Sequence, residues 1–363
     1  MRPRILIFVS KTGGGHISLA EALRDRLSPD FAVVLVDPQP DYIHRHYRVV
    51  SRHALWLWGL EFRLSDRPAR SLAAHKVFTV MMERRVAKVI TDTNPDLIIS
   101  TYSFLTYEIV ATLRKLGRRV PFAVLQADPS NVHHSWLTEK NADAVLCPTR
   151  ETYAQTMKAG FSPDQVILSG WPVRGQFREA AGMDRSRMLA DMGLSPEKFT
   201  IFLQGGGEGS AQFDRTLENL LSIQGTQIIL AAGTNEYLLK RYQDKAGLYC
   251  LPFTRKIAPY MASADVIMGK AGPNMLFESV ELGNPFIATS YIPGQERPNL
   301  EFIQRHGLGW VTLDVEAQRS LVAALVSEPS MLQEAKSTVA AYRDWNTDRV
   351  DNILPWLEKM IAG

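Results

Sequence analysis

The 363-residue chain has little cysteine, little net charge and no long apolar run. Its two cysteines, Cys147 and Cys250, lie far apart without CxxC spacing. That excludes a disulfide scaffold, a redox dithiol and a cysteine zinc motif. No uncharged apolar stretch approaches the roughly 18 residues that a membrane-spanning helix needs. The opening run at 5–9 is short and no small-residue cleavage site follows, so it reads as a strand rather than a signal peptide. No repeat of 20–50 residues and no low-complexity tract occurs. Lys+Arg (41) and Asp+Glu (38) nearly cancel to +3, which argues against a generic polyanion binder such as a nucleic-acid-binding protein. Hydrophobic residues at 45% and charged residues at 22% exclude wholesale disorder, and the length suits two domains.

What is present is alternation. Short β-branched runs at 4–10, 32–36, 97–100, 122–126 and 144–146 are separated by segments of helical period such as Ile17, Ala20, Leu23 and Leu27. This predicts parallel strands with helices on both faces. The pattern lapses into a polar connector around 170–199, then restarts with strands at 200–204, 228–231, 249–253, 266–268, 285–289 and 310–313. The reading is α/β, two doubly wound Rossmann-like domains. The first covers 1–175 with an insertion at about 41–90, the second covers 176–345, and a C-terminal helix at 346–363 is expected to pack back on the first.

Three glycine-rich turns carry the chemistry. Ser10-Lys-Thr-Gly-Gly-Gly-His16 joins a strand to a helix, where open backbone and a helix N-terminus favour negative charge. It is neither a Walker loop nor GxGxxG. Gly205–Gly209 repeats the arrangement in the second half, but no acidic residue closes the next strand, which disfavours a dinucleotide site. The third, Gly269-Lys-Ala-Gly-Pro-Asn-Met-Leu-Phe-Glu278, follows a strand and opens a helix; Glu278 there suits the vicinal hydroxyls of a ribose. Gln295 and Glu296, on a Pro-Gly turn, suit sugar hydroxyls. Each piece alone is also an ordinary turn or capped helix.

In combination these segments resemble the monogalactosyldiacylglycerol synthase family, and more distantly processive diacylglycerol glucosyltransferases and MurG. The segments are Thr12-Gly-Gly-Gly-His16, Asp128…His133…Trp136, Gly170-Trp-Pro-Val-Arg174, Lys270-Ala-Gly-Pro…Glu278, Gly283-Asn-Pro and Tyr291-Ile-Pro-Gly-Gln-Glu…Asn299. They run in order from about residue 5 to residue 310. The resemblance implies a GT-B fold with two domains facing a cleft. It implies an inverting transfer of galactose or glucose from a UDP-sugar to diacylglycerol, giving a β-glycoside. On the donor side it implies Gly206, Gly207 and Gly209, then Lys270, Gly272, Pro273, Asn274 and Glu278, and Gln295, Glu296 and Asn299 for the hexose. On the acceptor side it implies Gly13, Gly14, Gly15, His133 and Trp136. Lys11, Asn274, Met275, Arg297 and the Gln126-Ala-Asp128 order depart from the family pattern and leave the donor sugar open. A polyprenyl-linked acceptor, a UDP-sugar 2-epimerase and a non-catalytic UDP-sugar binder stay as alternatives.

Displacement at an anomeric carbon needs a base for the acceptor hydroxyl and a sink for the leaving diphosphate. His16 is the expected base and Asp128 the second candidate. No Asp-x-Asp pair occurs, so a helix N-terminus and backbone N–H groups, rather than a metal or other cofactor, are expected to hold the diphosphate.

The +3 total hides an asymmetry. Residues 41–90 hold ten Lys/Arg against four acids, a net +6, and four of the eight histidines. Arg45, Arg48 and Arg52 fall on one face of a helix, with Ile43, Tyr47, Val50, Ala54 and Leu57 opposite and Trp56 and Trp58 beyond. This predicts a peripheral contact with an anionic membrane, at its inner, cytoplasmic face. A core-packed helix with a solvated basic face is the competing reading.

Overall fold

A computed structural model describes residues 2–12, 14–53, 55–204 and 210–362, and within them all side chains except those of 47, 48, 51–53, 55–58, 61 and 210–212. Contacts divide the chain into two compact units. The first is Met1–Arg174 with Pro293–Pro298 and Trp345–Gly363; the second is Gly175–Ile292 with Asn299–Asp344.

The first unit contains β1 (Arg4–Phe8), β2 (Ala32–Val36), β3 (Leu97–Ser100), β4 (Phe122–Leu125), β5 (Ala144–Cys147) and β6 (Val166–Leu168), all parallel, in the order β2-β1-β3-β4-β5-β6. Ile5, Leu6, Ile7 and Phe8 of β1 have no exposed surface, as expected of a strand covered on both faces. β6 is absent from the sequence reading. It is three residues long and lies at the sheet edge, where too little apolar sequence accumulates to mark a strand.

Helix α1 (Gly15–Leu27) follows the glycine turn and buries Leu19, Ala20, Leu23 and Leu27, the helical period seen in the sequence. The 41–90 insertion forms α2 (Asp41–His53), α3 (Leu55–Ser65) and most of α4 (Pro68–Thr93). Together these are an enlarged crossover from β2 to β3, which must pass β1 in the sheet. Helix α4 buries Met82, Val86 and Ile90 in the same core as β1, β3, β4 and α5 (Tyr107–Leu116). The short helix α6 (His134–Leu137) lies between β4 and β5.

In the second unit, β7 (Phe199–Gln204), β8 (Thr226–Gly233), β9 (Leu248–Pro252), β10 (Val266–Lys270), β11 (Phe286–Ser290) and β12 (Gly309–Val311) form a parallel sheet ordered β12-β11-β10-β7-β8-β9. Its core is Ile201, Leu203, Ile228, Leu230, Val266, Met268 and Ile287 with Leu217, Val322 and Leu325 from helices.

The C-terminal segment is pinned within the first unit. The Trp171 backbone N–H donates to Asn346 Oδ1 at 2.7 Å, and Asn346 Nδ2 donates to the Trp171 carbonyl at 3.0 Å. Gly170, at φ +66°, lets the chains approach, since a Cβ there would sit 2.6 Å from the Asn346 carbonyl oxygen.

Candidate active site

The sheet order of each unit fixes where a ligand can bind. In open parallel sheets the crevice opens at the strand C-termini where the winding direction reverses. In the first unit that point lies between β1 and β3, and the turn carrying His16 follows β1. In the second it lies between β7 and β10. Lys270-Ala-Gly-Pro273 begins at the end of β10, so the first and third glycine segments found in the sequence follow strands at switch points; residues 205–209 lie outside the described residues.

His16, half-buried, opens α1 beside the end of β3. Its Nδ1 lies 2.7 Å from the Thr101 carbonyl oxygen. A carbonyl only accepts, so Nδ1 carries the proton and Nε2 keeps its lone pair. Tyr102 stands edge-on to the imidazole, centroids 5.0 Å apart. Burial lowers the His16 pKa to about 4, partly offset by the Thr101 bond, so the ring is neutral near pH 7. The turn is braced from β2. Ser10 Oγ contacts Thr12 Oγ1 at 2.6 Å and donates to Gln39 Oε1 at 3.0 Å, while Asp37 accepts from the Lys11 and Gln39 backbone N–H groups. Burial pushes the Tyr102 phenol up to about 12, against hydrogen bonds with Gln39 and Thr12 that lower it. Gly14 and Gly15 are exposed, and a Cβ on Gly14 would meet nothing within 4 Å, so open backbone faces outward there. Gly13 lies outside the described residues. Sequence reading missed Gln39, Thr101 and Tyr102, none of which belongs to a motif.

Asp128 follows β4, beyond the C-terminal ends of the same sheet's strands. Trp136 Nε1 donates to its Oδ2 at 2.8 Å. Burial pushes the carboxyl up to about 7, and the Trp136 and His133 hydrogen bonds only partly counter it. His133 and Trp136, expected on the acceptor, are buried, at 4% and 3% exposure, and have partners within the protein. His133 caps α6, its Nδ1 accepting from the Ser135 N–H at 3.1 Å. The proton therefore sits on Nε2, which faces the Phe62 carbonyl at 3.1 Å. His134 holds Asp66 through its backbone N–H and Nδ1 at 2.9 and 2.8 Å. These side chains hold the Asp128 segment. No hydrogen bond between Asp128 and His16 is found among the described residues.

In the second unit Lys270 ends β10, Gly272 caps the helix Pro273–Glu281, and Pro273 takes its first position, where a missing N–H costs nothing. Asn274 is next, and Glu278 lies in the second turn at 7% exposure. Asn299, expected on the hexose, is buried, and its Nδ2 donates to the Ala271 carbonyl at 2.9 Å, bracing the turn. Asn284 of the Gly-Asn-Pro segment is likewise structural, donating to the Met261 carbonyl at 3.0 Å. Gln295 is half-buried and Glu296 buried, on a turn whose Gly294 has φ +88° and which groups with the first unit. Gly206, Gly207 and Gly209 lie outside the described residues. No cluster of three or more His, Cys, Asp or Glu able to hold a metal occurs among the described residues.

The insertion departs from the expected single amphipathic face. Val50 is buried and Ile43 packs on the first unit's core, so that side of α2 faces protein. Arg45 is exposed; the side chains of Arg48, Arg52, Trp56 and Trp58 lie outside the described residues. Exposed apolar side chains lie on α4, at Val77 (63%), Val80 (82%) and Met81 (41%), as well as at Leu60 and Leu64 on α3 and at Tyr42 and Val49 on α2. No helix among the described residues is long and apolar enough to cross a membrane.

Comparison with known proteins agrees with this geometry. The family model described as monogalactosyldiacylglycerol (MGDG) synthase matches residues 25–173, and that of the glycosyltransferase family 28 C-terminal domain matches 200–344. The chloroplastic monogalactosyldiacylglycerol synthase of Spinacia oleracea is 27% identical over 330 residues, covering 84% of this chain and 63% of that protein. The probable synthase of Nicotiana tabacum is 28% identical, with 61% of its length covered, so the chain spans less than two thirds of these relatives. Among solved structures, Acinetobacter baumannii MurG aligns with TM-score 0.61 at 13% identity, over 97% of this chain and 99% of that one. An S. aureus MnaA–UDP structure aligns at 0.62 and 11%, over 100% and 98%. Those likenesses establish the fold, GT-B. With the two matches in order along it, the first half of the chain carries a monogalactosyldiacylglycerol synthase domain and the second half a glycosyltransferase family 28 C-terminal domain.

Proposed function

We propose that the protein is an inverting glycosyltransferase that moves galactose or glucose from a UDP-hexose to diacylglycerol. The carrying observation is that the glycine turns of both halves lie at the switch points of two Rossmann-like sheets, within a chain matched by this family. The diacylglycerol hydroxyl oxygen attacks the anomeric carbon, the bond to the UDP oxygen breaks from the opposite face, and an α-linked donor yields a β-glycoside. His16 takes the hydroxyl proton at Nε2, the nitrogen left open by the Thr101 bond. Asp128 presents its carboxylate on the same acceptor side. The N-terminus of the helix Pro273–Glu281 receives the diphosphate without a metal, and Glu278 takes the ribose hydroxyls. Gln295 and Glu296 take the hexose. The exposed face of the insertion rests on an anionic membrane at its cytoplasmic side, which brings the acceptor within reach.

One observation favours Asp128 as an alternative base: its carboxyl, at about 7, is nearer the optimum for proton transfer at neutral pH than His16 at about 4.

The test is incubation with UDP-galactose or UDP-glucose, with and without diacylglycerol vesicles. Lipid-dependent UDP release with a β-hexosyl lipid product is expected. Sugar isomerisation without lipid would indicate an epimerase, transfer only to a polyprenyl-linked acceptor a MurG-like enzyme, and binding without turnover a sensor.

A further inference from the structure

His75 and Glu108 form a fully buried pair that no motif marks. Neither exposes any surface. His75 Nδ1, on α4, lies 2.9 Å from Glu108 Oε1 on α5, and His75 Nε2 lies 3.1 Å from the Ser135 carbonyl oxygen on α6. Phe104 and Tyr107 pack against the imidazole at centroid distances of 4.9 and 5.7 Å. The Ser135 carbonyl can only accept, so Nε2 carries a proton. A second proton must lie between Nδ1 and Oε1, because two lone pairs 2.9 Å apart in a dry site would repel. Glu108 Oε2 is buried without a hydrogen-bond partner, and burial raises the Glu108 pKa, so that proton is retained.

The grip falls on an element that cannot hold itself. Helix α6 has four residues, far below the length at which a helix is stable alone. Yet it is capped by His133 and carries Trp136, whose Nε1 is the hydrogen-bond donor to Asp128. Ser135, whose carbonyl His75 holds, also binds His133 Nδ1 through its hydroxyl at 2.7 Å.

We propose that the Glu108–His75 pair is a positioning device: it fixes the Ser135 carbonyl, and through α6 and Trp136 it sets the orientation of the Asp128 carboxylate. As a role in catalysis this rests on the reading of Asp128 as an acceptor-side group. The geometric part stands without it. His75 touches no substrate and acts only through α6.

The experiment compares His75→Leu, His75→Gln and the double variant His75→Leu/Glu108→Leu. The double variant replaces the pair by apolar groups, which leaves no buried charge to unfold the protein. The indole N–H signals of protein labelled with nitrogen-15 in tryptophan give the first readout, Trp136 being identified by its loss in Trp136→Phe. The Trp136 signal should move from its carboxylate-bound position in both leucine variants and return in His75→Gln, whose amide reaches the same carbonyl. The second readout is transfer kinetics. The leucine variants should lose about tenfold in kcat, the value of one misplaced hydrogen bond, with the KM for UDP-sugar within about twofold. In a Trp136→Phe background the same changes should cost nothing further. An unmoved Trp136 signal in a folded double variant, or losses that multiply with Trp136→Phe, would overturn the proposal. If the wild type transfers no sugar to lipid, the proposed function fails while the indole signal still tests the pair.

Discussion

At the scale of single residues, two proton acceptors sit beyond the C-terminal ends of one sheet's strands, with pKa values on either side of the ordinary histidine value. His16 is lowered from 6.5 to about 4 and Asp128 raised from 3.8 to about 7, both chiefly by burial, which disfavours the charged form of each. They therefore predict different pH profiles. With His16 as base, kcat/KM should already be flat at pH 6 and fall only toward 4, and His16→Ala should abolish transfer while UDP binding persists. An acid limb near 7 that disappears in Asp128→Asn would assign the proton to Asp128. Stability carries the same signature. A carboxyl whose folded pKa is raised stabilises the fold below its unfolded pKa of 3.8, and that contribution is lost as pH rises through about 7. Asp128→Asn should flatten that part of the stability curve in chemical denaturation. His16 and Asp128 were legible because family motifs carry them. Thr101, Tyr102, His75 and Glu108 were not, since each matters through a partner 33 to 86 positions away that one sequence does not reveal. The motif residues His133, Trp136 and Asn299 were legible as important, but not their hydrogen bonds within the protein, because a motif does not name a side chain's partners.

At the scale of elements, strand and turn order was readable because buried parallel strands are apolar throughout and glycines mark the strand–helix turns. What escaped was β6 and the protein that covers the apolar face of α2 at Ile43 and Val50. A three-residue edge strand carries almost no periodic signal, and an amphipathic stripe looks the same whether protein or lipid covers it. Gly170 shows how a motif glycine can be purely architectural. Its φ of +66° is costly for any other residue, and a Cβ would meet the Asn346 carbonyl oxygen at 2.6 Å. Gly170→Ala should cost about 2 kcal/mol or more, measured as a lower midpoint in urea. It should also loosen the segment Trp345–Gly363, read as faster hydrogen exchange there. Unchanged midpoint and exchange would mean that the Trp171–Asn346 bonds do not anchor this segment.

At the scale of the whole molecule, a net charge of +3 conceals a +6 insertion set against a remainder of −3. Besides Tyr42 and Val49 on α2, the insertion exposes apolar surface on α4. There Val77, Val80 and Met81 lie between the exposed basic residues Lys76, Arg84, Arg85 and Lys88. Val80, at 82% exposure, gains nothing from folding in water, so a polar replacement there should leave stability within about 0.5 kcal/mol. If α4 enters the headgroup region, however, Val80→Glu places a carboxylate where an apolar side chain would be buried, beside anionic lipid. Val80→Glu with Met81→Glu should weaken binding to vesicles containing phosphatidylglycerol by tenfold or more, whereas Arg84→Gln with Arg85→Gln should weaken it mainly at low salt, where surface charge is least screened. Transfer to diacylglycerol in vesicles should fall with binding, and transfer to a short-chain diacylglycerol dissolved below its aggregation limit should not. Wild-type vesicle affinity in the folded Val80→Glu/Met81→Glu protein would exclude α4 as the membrane-facing surface and return that role to α2 and α3.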